Sequence, residues 1–229
     1  MCLTRAPAAG VTAHYAVDLQ KQVPHGAGLG GGSGNAAAAL WAANDLAGRP
    51  ATEADLLEWS GEIGSDISVF FSTGAAYCTG RGEIVDSVTP PVPLSTPLLL
   101  VKPPIGLSTP AIFKALDLER RSPEDPKALL AGMQAAAAVE PHLCVNDLEQ
   151  PAFDTLPELL ALKERLQSTG LYQSVFMTGS GSTIVCCGSE QVPEFVREDG
   201  ALFHAAARLS VREPGQWYTA PDREAAAAA

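Results

Sequence analysis

The segment PHGAGLGGGSGNAAAALWAAN, Pro24 to Asn44, decides how the rest of the chain is read. Six glycines fall between Gly26 and Gly34, and an alanine-rich helical pattern follows at once. Glycine loses more conformational freedom on folding than any other residue, so a run this dense in front of a helix needs a reason. Backbone N–H groups with no Cβ atoms beside them wrap closely around an anion. The N-terminus of the following helix adds partial positive charge. The stretch therefore reads as a phosphate cradle. Asn35 is the expected helix cap, and the helix is expected to reach about Ala47, with Gly48 as its left-handed stop.

Other readings of the loop fit less well. Gly26, Gly28 and Gly31 satisfy G-x-G-x-x-G. A dinucleotide fold also needs a strand after the helix, with an acidic residue about 20 positions on. The segment after the second expected helix, ISVFFSTG, ends without one. The pattern G-x-x-x-x-G-K-[ST] fails, because no lysine lies between Lys21 and Lys102. A flexible linker is out of place between a strand and a capped helix.

The chain has 229 residues, 46% of them hydrophobic, enough for one large domain or two small ones. Its net charge of -11 argues against general binding to nucleic acid or anionic membrane, which is held by summed Lys and Arg charge. Phosphate must instead be gripped locally, by backbone amides. The five cysteines are Cys2, Cys78, Cys144, Cys186 and Cys187. The count is odd and no C-x-x-C occurs, which fits a reducing compartment and gives neither a disulfide framework nor a zinc site. No metal-ligating cluster is expected. Adjacent Cys186 and Cys187 should face opposite sides of a strand.

Val11 to Val23 alternates loosely and reads as a strand leading into the loop. Thr52 and Asp55 have capping-box spacing for a second helix ending near Gly61 to Gly64. GAAYCTG and EIVDSV, joined through Arg81-Gly82, read as a hairpin. PPVPLSTP, Pro90 to Pro97, is the candidate domain boundary. PLLLVKP reads as a buried strand. Thr109 and Pro110 form an N-cap and first-turn pair. Helices are expected over about Pro126 to Ala138 and about Leu156 to Ser168, the latter stopped by Gly170. SVFMTGSGSTIVCC reads as strand, glycine turn, strand. The mixture without regular alternation indicates an α+β architecture.

The pattern P-x-G-x-G-L-G-G-G-S-x-N-A-A resembles the ATP loop of the GHMP small-molecule kinases. Its triple glycine and Asn-Ala-Ala are similar to the 4-diphosphocytidyl-2-C-methyl-D-erythritol kinase family within that group. Ser33-Gly34-Asn35 stands where that family usually has Ser-Ser-Asn. GEIGSDISVFF, Gly61 to Phe71, resembles the family's second motif, with Ser68 in place of a proline. MTGSGSTIV, Met177 to Val185, resembles its third. AAYCTGRGE, CVNDLEQPAF and IGLSTPAIFK are also similar to family segments, the first two of the plant type in particular.

The resemblance implies a two-domain GHMP kinase fold. A ribosomal-protein-S5-like domain would occupy residues 1–96, a ferredoxin-like domain residues 97–220, and a disordered tail residues 221–229. It implies ATP binding by Pro24, Gly26, Gly28, Leu29, Gly30, Gly31, Gly32, Ser33 and Asn35, with Lys21 nearby. It implies Asp66 as catalytic base, set against the plain reading of a helix cap. Thr109 and Phe113 would contact substrate, Phe113 by stacking on cytosine, set against helix core. Gly179, Ser180, Gly181 and Ser182 would close over the phosphates, set against an ordinary glycine hairpin. The implied reaction moves phosphate from ATP, with Mg2+, to the 2-hydroxyl of the small molecule 4-diphosphocytidyl-2-C-methyl-D-erythritol in non-mevalonate isoprenoid synthesis. The implied compartment is the plastid stroma, although the opening MCLTRAPAAG does not read as a targeting segment.

Members of the family carry a reaction-centre lysine, and a tyrosine–histidine pair for cytosine, upstream of the loop's strand. Here no lysine precedes Lys21, and His14-Tyr15 lies on the loop's own expected strand in reversed order, so neither role is carried over. The expectation is a family member lacking its N-terminal segment, with sheet edges exposed. Alternatives are a truncated non-catalytic fragment, or another GHMP kinase such as a mevalonate-pathway or homoserine kinase.

Overall fold

The structure is a computed structural model that describes residues 14–213, 216 and 217. The chain divides into two compact units. The first is built on Gly32–Val88, with the segment from Val211 returning to it; the second comprises Lys21–Gly31 and Thr89–Ser210. The main segment of the second unit thus begins one residue before the proline-rich stretch, and the unit also claims most of the glycine loop. The expected tail, residues 221–229, lies outside the described residues.

In the first unit, helix α1 spans Gly31–Leu46 and α2 spans Glu53–Ile63. Gly48 adopts φ +85°, as a left-handed stop requires. The Thr52–Asp55 capping box forms in full: Thr52 Oγ1 accepts from the Asp55 amide at 3.2 Å, and Asp55 accepts from the Thr52 amide at 2.8 Å. A 3-10 turn over Ser65–Phe71 follows, then strands β1 (Ala76–Thr79) and β2 (Ile84–Ser87), paired antiparallel as the expected hairpin.

Two expectations are corrected here. Asn35 is not a cap, because α1 already begins at Gly31 and Asn35 lies in its second turn. Tertiary context has overridden the low helix propensity of glycine. The described part of the expected first strand, residues 14–23, is irregular. Its apolar residues Tyr15, Val17, Leu19 and Val23 are 40–72% exposed, so the alternation has no layer to pack on.

The second unit is a four-stranded antiparallel sheet of β3 (Leu98–Lys102), β4 (Ser174–Met177), β5 (Ile184–Cys187) and β6 (Phe203–Ala207), in the order β4-β5-β3-β6. Helices α3 (Thr109–Ala115), α4 (Pro126–Ala136), α5 (Glu149–Thr155) and α6 (Pro157–Ser168) lie between β3 and β4 in the chain, and α7 (Glu194–Glu198) lies between β5 and β6. This strand order and β-α-β-β-α-β plan is the split, ferredoxin-like arrangement expected.

The sheet is covered on both faces. Leu99, Val101, Met177, Ile184 and Cys186 pack with Ile112, Phe153, Leu159, Leu162, Leu166 and Val196 of the helices. Leu98, Val185 and Cys187 face the other way, with Val92 and Val139. Cys186 and Cys187 therefore do fall on opposite faces, both buried. Burial pushes the Cys186 thiol up to about 12 and the Cys144 thiol to about 11. Both stay neutral as packing groups.

Candidate functional site

The glycine loop owes its path to alternate glycines. Gly26, Gly28 and Gly30 have φ of +60°, +70° and +64°. Ala27 and Leu29 between them keep negative φ, since among the described non-glycine residues only Arg49 and Ala137 do not. Alternating sign turns successive N–H groups toward one side, which is how backbone builds an anion-binding concavity.

The loop is docked on the third-motif turn inside the second unit. The Thr183 amide donates to Ala27 O at 3.2 Å, and Thr178 Oγ1 donates to Gly28 O at 3.1 Å. A Cβ on Gly28 would sit 2.3 Å from Thr178 O, so only glycine fits.

Gly31 and Gly32 differ in kind. They are helical, their φ is not positive, and a Cβ on either would meet nothing within 4 Å. Among the described residues, no contact is gained from leaving these positions bare. The first turn of α1 carries no acidic side chain, so no carboxylate of that turn competes with an anion for its N-terminal amides. Gly34 has a packing role: a Cβ there would lie 3.0 Å from the Phe70 ring. That contact explains the missing second serine.

The turn after β4 also meets Thr109, one of the two expected substrate residues. Ser180 Oγ and Thr109 Oγ1 are 2.7 Å apart, and Ser182 Oγ donates to Ile105 O at 2.7 Å. Ser180 and Ser182 are buried, and the Gly181 amide donates to Thr178 O at 3.0 Å. Thr109 is not the helix cap: Ser108 holds that position without a side-chain bond, and Thr109 is the first helical residue. Phe113, one helical turn on, is 57% exposed, while Ile112 fills the core. The reading of Phe113 as helix core is thereby excluded.

Asp66 belongs to the first unit. It is the second residue of the 3-10 turn, after Gly64 at the cap, so the reading as a helix cap fails too. Its carboxylate is exposed and accepts no hydrogen bond from the described residues; the hairpin tip at Gly82 lies beside it. Ser68, in place of proline, is fully buried and its hydroxyl meets Ser60 Oγ at 2.9 Å. A hydrogen bond substitutes for the rigidity of the ring.

Several residues that hold these elements gave no sequence signal. Arg212 donates to Phe70 O at 2.9 Å and to Ser72 O at 3.0 Å, tying down the end of the Asp66 turn. Its guanidinium carbon lies 4.1 Å from the centre of the Trp217 ring, and that ring stacks on Trp41. Lys102 is buried and donates to Pro103 O at 2.8 Å; burial lowers its pKa. Lys21 and His14-Tyr15 are exposed.

Residues 2–74 match the family profile described as GHMP kinases N terminal domain. The chain is 49% identical over 93% of its length to the chloroplastic 4-diphosphocytidyl-2-C-methyl-D-erythritol kinase of Mentha piperita, covering 53% of that protein. It is 41% identical over 92% of its length to the 4-diphosphocytidyl-2-C-methyl-D-erythritol kinase of Protochlamydia amoebophila, covering 67% of it. The chain belongs to the 4-diphosphocytidyl-2-C-methyl-D-erythritol kinase family. A crystal structure of 4-(cytidine 5'-diphospho)-2C-methyl-D-erythritol kinase agrees, at 30% identity and a TM-score of 0.64 over 83% of this chain and 69% of that one. The chain spans about half the length of the plant family members it matches.

Proposed function

We propose that this chain carries the phosphate loop, catalytic base and cytosine-side residues of an ATP-dependent kinase. Its substrate would be 4-diphosphocytidyl-2-C-methyl-D-erythritol and its acceptor the 2-hydroxyl, in the non-mevalonate isoprenoid pathway of the plastid stroma. One observation carries the reading: Gly31 and Gly32 keep bare the first turn of a sixteen-residue helix where none of the described residues needs the space, at the end of a loop of alternating φ.

The amides from Gly26 to Gly32 would hold the triphosphate, with Leu29, Ser33 and Asn35 around it, Pro24 setting the entry and Lys21 at the rim. Gly179 to Ser182 would line the phosphate region from the third-motif turn. Asp66, exposed and accepting no hydrogen bond from the described residues, would accept the hydroxyl proton as the oxygen–phosphorus bond forms and the bridging bond to ADP breaks. Mg2+ bound to the triphosphate would supply charge neutralisation. Among the described residues no three Asp, Glu, His or Cys side chains converge, so the phosphates would supply most of its ligands. Phe113 offers a free ring face for cytosine, and Thr109 stands on the same side of α3.

The test is transfer of labelled γ-phosphate from ATP to 4-diphosphocytidyl-2-C-methyl-D-erythritol, with Asp66→Asn as control. Transfer by the wild-type chain that vanishes in the variant, and that cytidine nucleotides compete, is the expected result. No transfer from folded protein overturns the proposal for this chain. Transfer indifferent to cytidine nucleotides points to another GHMP kinase activity.

A further inference from the structure

We infer that Asn146 is a positioning residue for the nucleotide loop, with Glu149 as its helper. Both lie in the CVNDLEQPAF segment, which none of the proposed chemistry uses. The inference rests on the phosphate-loop reading given above.

The geometry is a clamp around the residue that follows an edge strand. Asn146 Nδ2 donates to Met177 O at 3.0 Å and to Gly179 O at 2.9 Å. Asn146 Oδ1 accepts from the Leu148 amide at 3.0 Å. All three bonds fix the amide's orientation, since a flipped side chain would set its oxygen against two carbonyls. Glu149 Oε1 accepts the Met177 amide at 2.8 Å, and its other oxygen takes Lys163 Nζ at 2.6 Å. Strand β4 is at the sheet edge, so the Met177 amide is the group that edge would otherwise leave unpaired. The Glu149–Lys163 pair is half-buried, with side chains 18% and 16% exposed.

The clamp encloses Thr178, because the two carbonyls that Asn146 grips flank it. Thr178 is the residue whose hydroxyl holds Gly28 O and whose carbonyl stands where a Gly28 Cβ would go. The path therefore runs from Lys163 and Glu149 to Met177, and from Asn146 across Thr178 to Gly28. Each link is a hydrogen bond or a contact too tight to shift freely. Asn146 touches no reacting group; it sets the angle at which the glycine loop is presented.

Replacing the amide by a carboxylate, Asn146→Asp, removes both donors and faces two carbonyls with negative charge. Asn146→Ser is the milder second variant, and Gln150→Ala, on the exposed side of α5, is the control. Two measurements are made on the chain: MgATP affinity by calorimetry, and amide exchange across residues 26–30 and 176–183 without nucleotide. The expected result is a loss of MgATP affinity on the order of tenfold to a hundredfold. Exchange should rise in those two segments alone, and Gln150→Ala should behave as wild type. Unchanged affinity and exchange in both Asn146 variants overturns the inference. So does exchange that rises throughout the unit, which would make Asn146 merely structural. If the wild-type chain binds no MgATP, the phosphate-loop reading itself fails, and the exchange data alone decide whether the clamp sets the loop.

Discussion

Gly28 is pressed against Thr178 so closely that one added methyl would lie 2.3 Å from the Thr178 carbonyl oxygen, while the Thr178 hydroxyl holds the Gly28 carbonyl at 3.1 Å. The glycine loop and the third-motif turn, 150 residues apart in the chain, are thus two halves of one backbone surface. Gly28→Ala meets this clash and also a φ of +70°. The left-handed conformation alone costs about 1–2 kcal/mol for a residue with a Cβ. The variant should unfold at lower urea and lose MgATP binding, measured by denaturation and calorimetry. Wild-type affinity in Gly28→Ala would show that the docked geometry is not the one that binds.

Gly31 and Gly32 predict the opposite sign for stability. Alanine suits the helix better by up to about 1 kcal/mol, and the added methyl meets no atom of the described residues. Gly31→Ala and Gly32→Ala should therefore melt at the same temperature as wild type or higher, yet bind MgATP more weakly. If both stability and affinity rise, the bare helix start serves something other than a ligand.

Asp66→Asn should leave the fold untouched, because the carboxylate accepts no hydrogen bond from the described residues. MgATP affinity should hold while turnover falls by roughly 10² to 10⁴, the range for a lost general base. A matched loss in affinity and turnover would make Asp66 a binding group instead.

Phe113 is 57% exposed on α3, so Phe113→Ala should cost far less than the roughly 3–5 kcal/mol of a buried phenylalanine. The expected kinetic effect is a higher KM for the cytidine substrate with KM for ATP unchanged. A large stability loss without a KM change would return Phe113 to a packing role.

What was legible in the sequence was local. The Thr52–Asp55 box, the Gly48 and Gly170 stops and the Arg81-Gly82 hairpin each depend on residues a few positions apart, and each formed. The cysteine pair was legible because strand geometry alone sends Cys186 and Cys187 to opposite faces. Asn35 misled because glycine's weak helix propensity placed the helix start too late. Strand β6 was missed because Phe203–Ala207 is mostly alanine and is a strand only through pairing with β3. The Asn146 clamp and the Arg212 tie could not be read at all. Each joins a side chain to backbone 31 to 142 residues away, and no local pattern encodes that.

The buried thiols predict how stability falls in alkali. Free thiols here titrate from 9.0, while burial holds Cys144 near 11 and Cys186 near 12 in the folded chain. Above pH 9 the unfolded chain gives up these protons first, so the folded state binds more of them and stability falls with rising pH. The contribution is whole below 9 and is lost progressively toward 11 and 12. Lys102 acts against this, because burial lowers its pKa from 10.5; between its lowered value and 10.5 the unfolded chain holds the extra proton, and stability rises with pH. Urea unfolding of reduced protein from pH 7 to pH 10.5 measures the balance. Burial raises Cys78 and Cys187 as well, so the thiols outweigh the amine above pH 9 and the slope should be negative there. Cys144→Ala with Cys186→Ala should be less stable at pH 7, from the emptied core volume, and should show a flatter alkaline limb. An unchanged limb in that variant would mean the thiols do not set it.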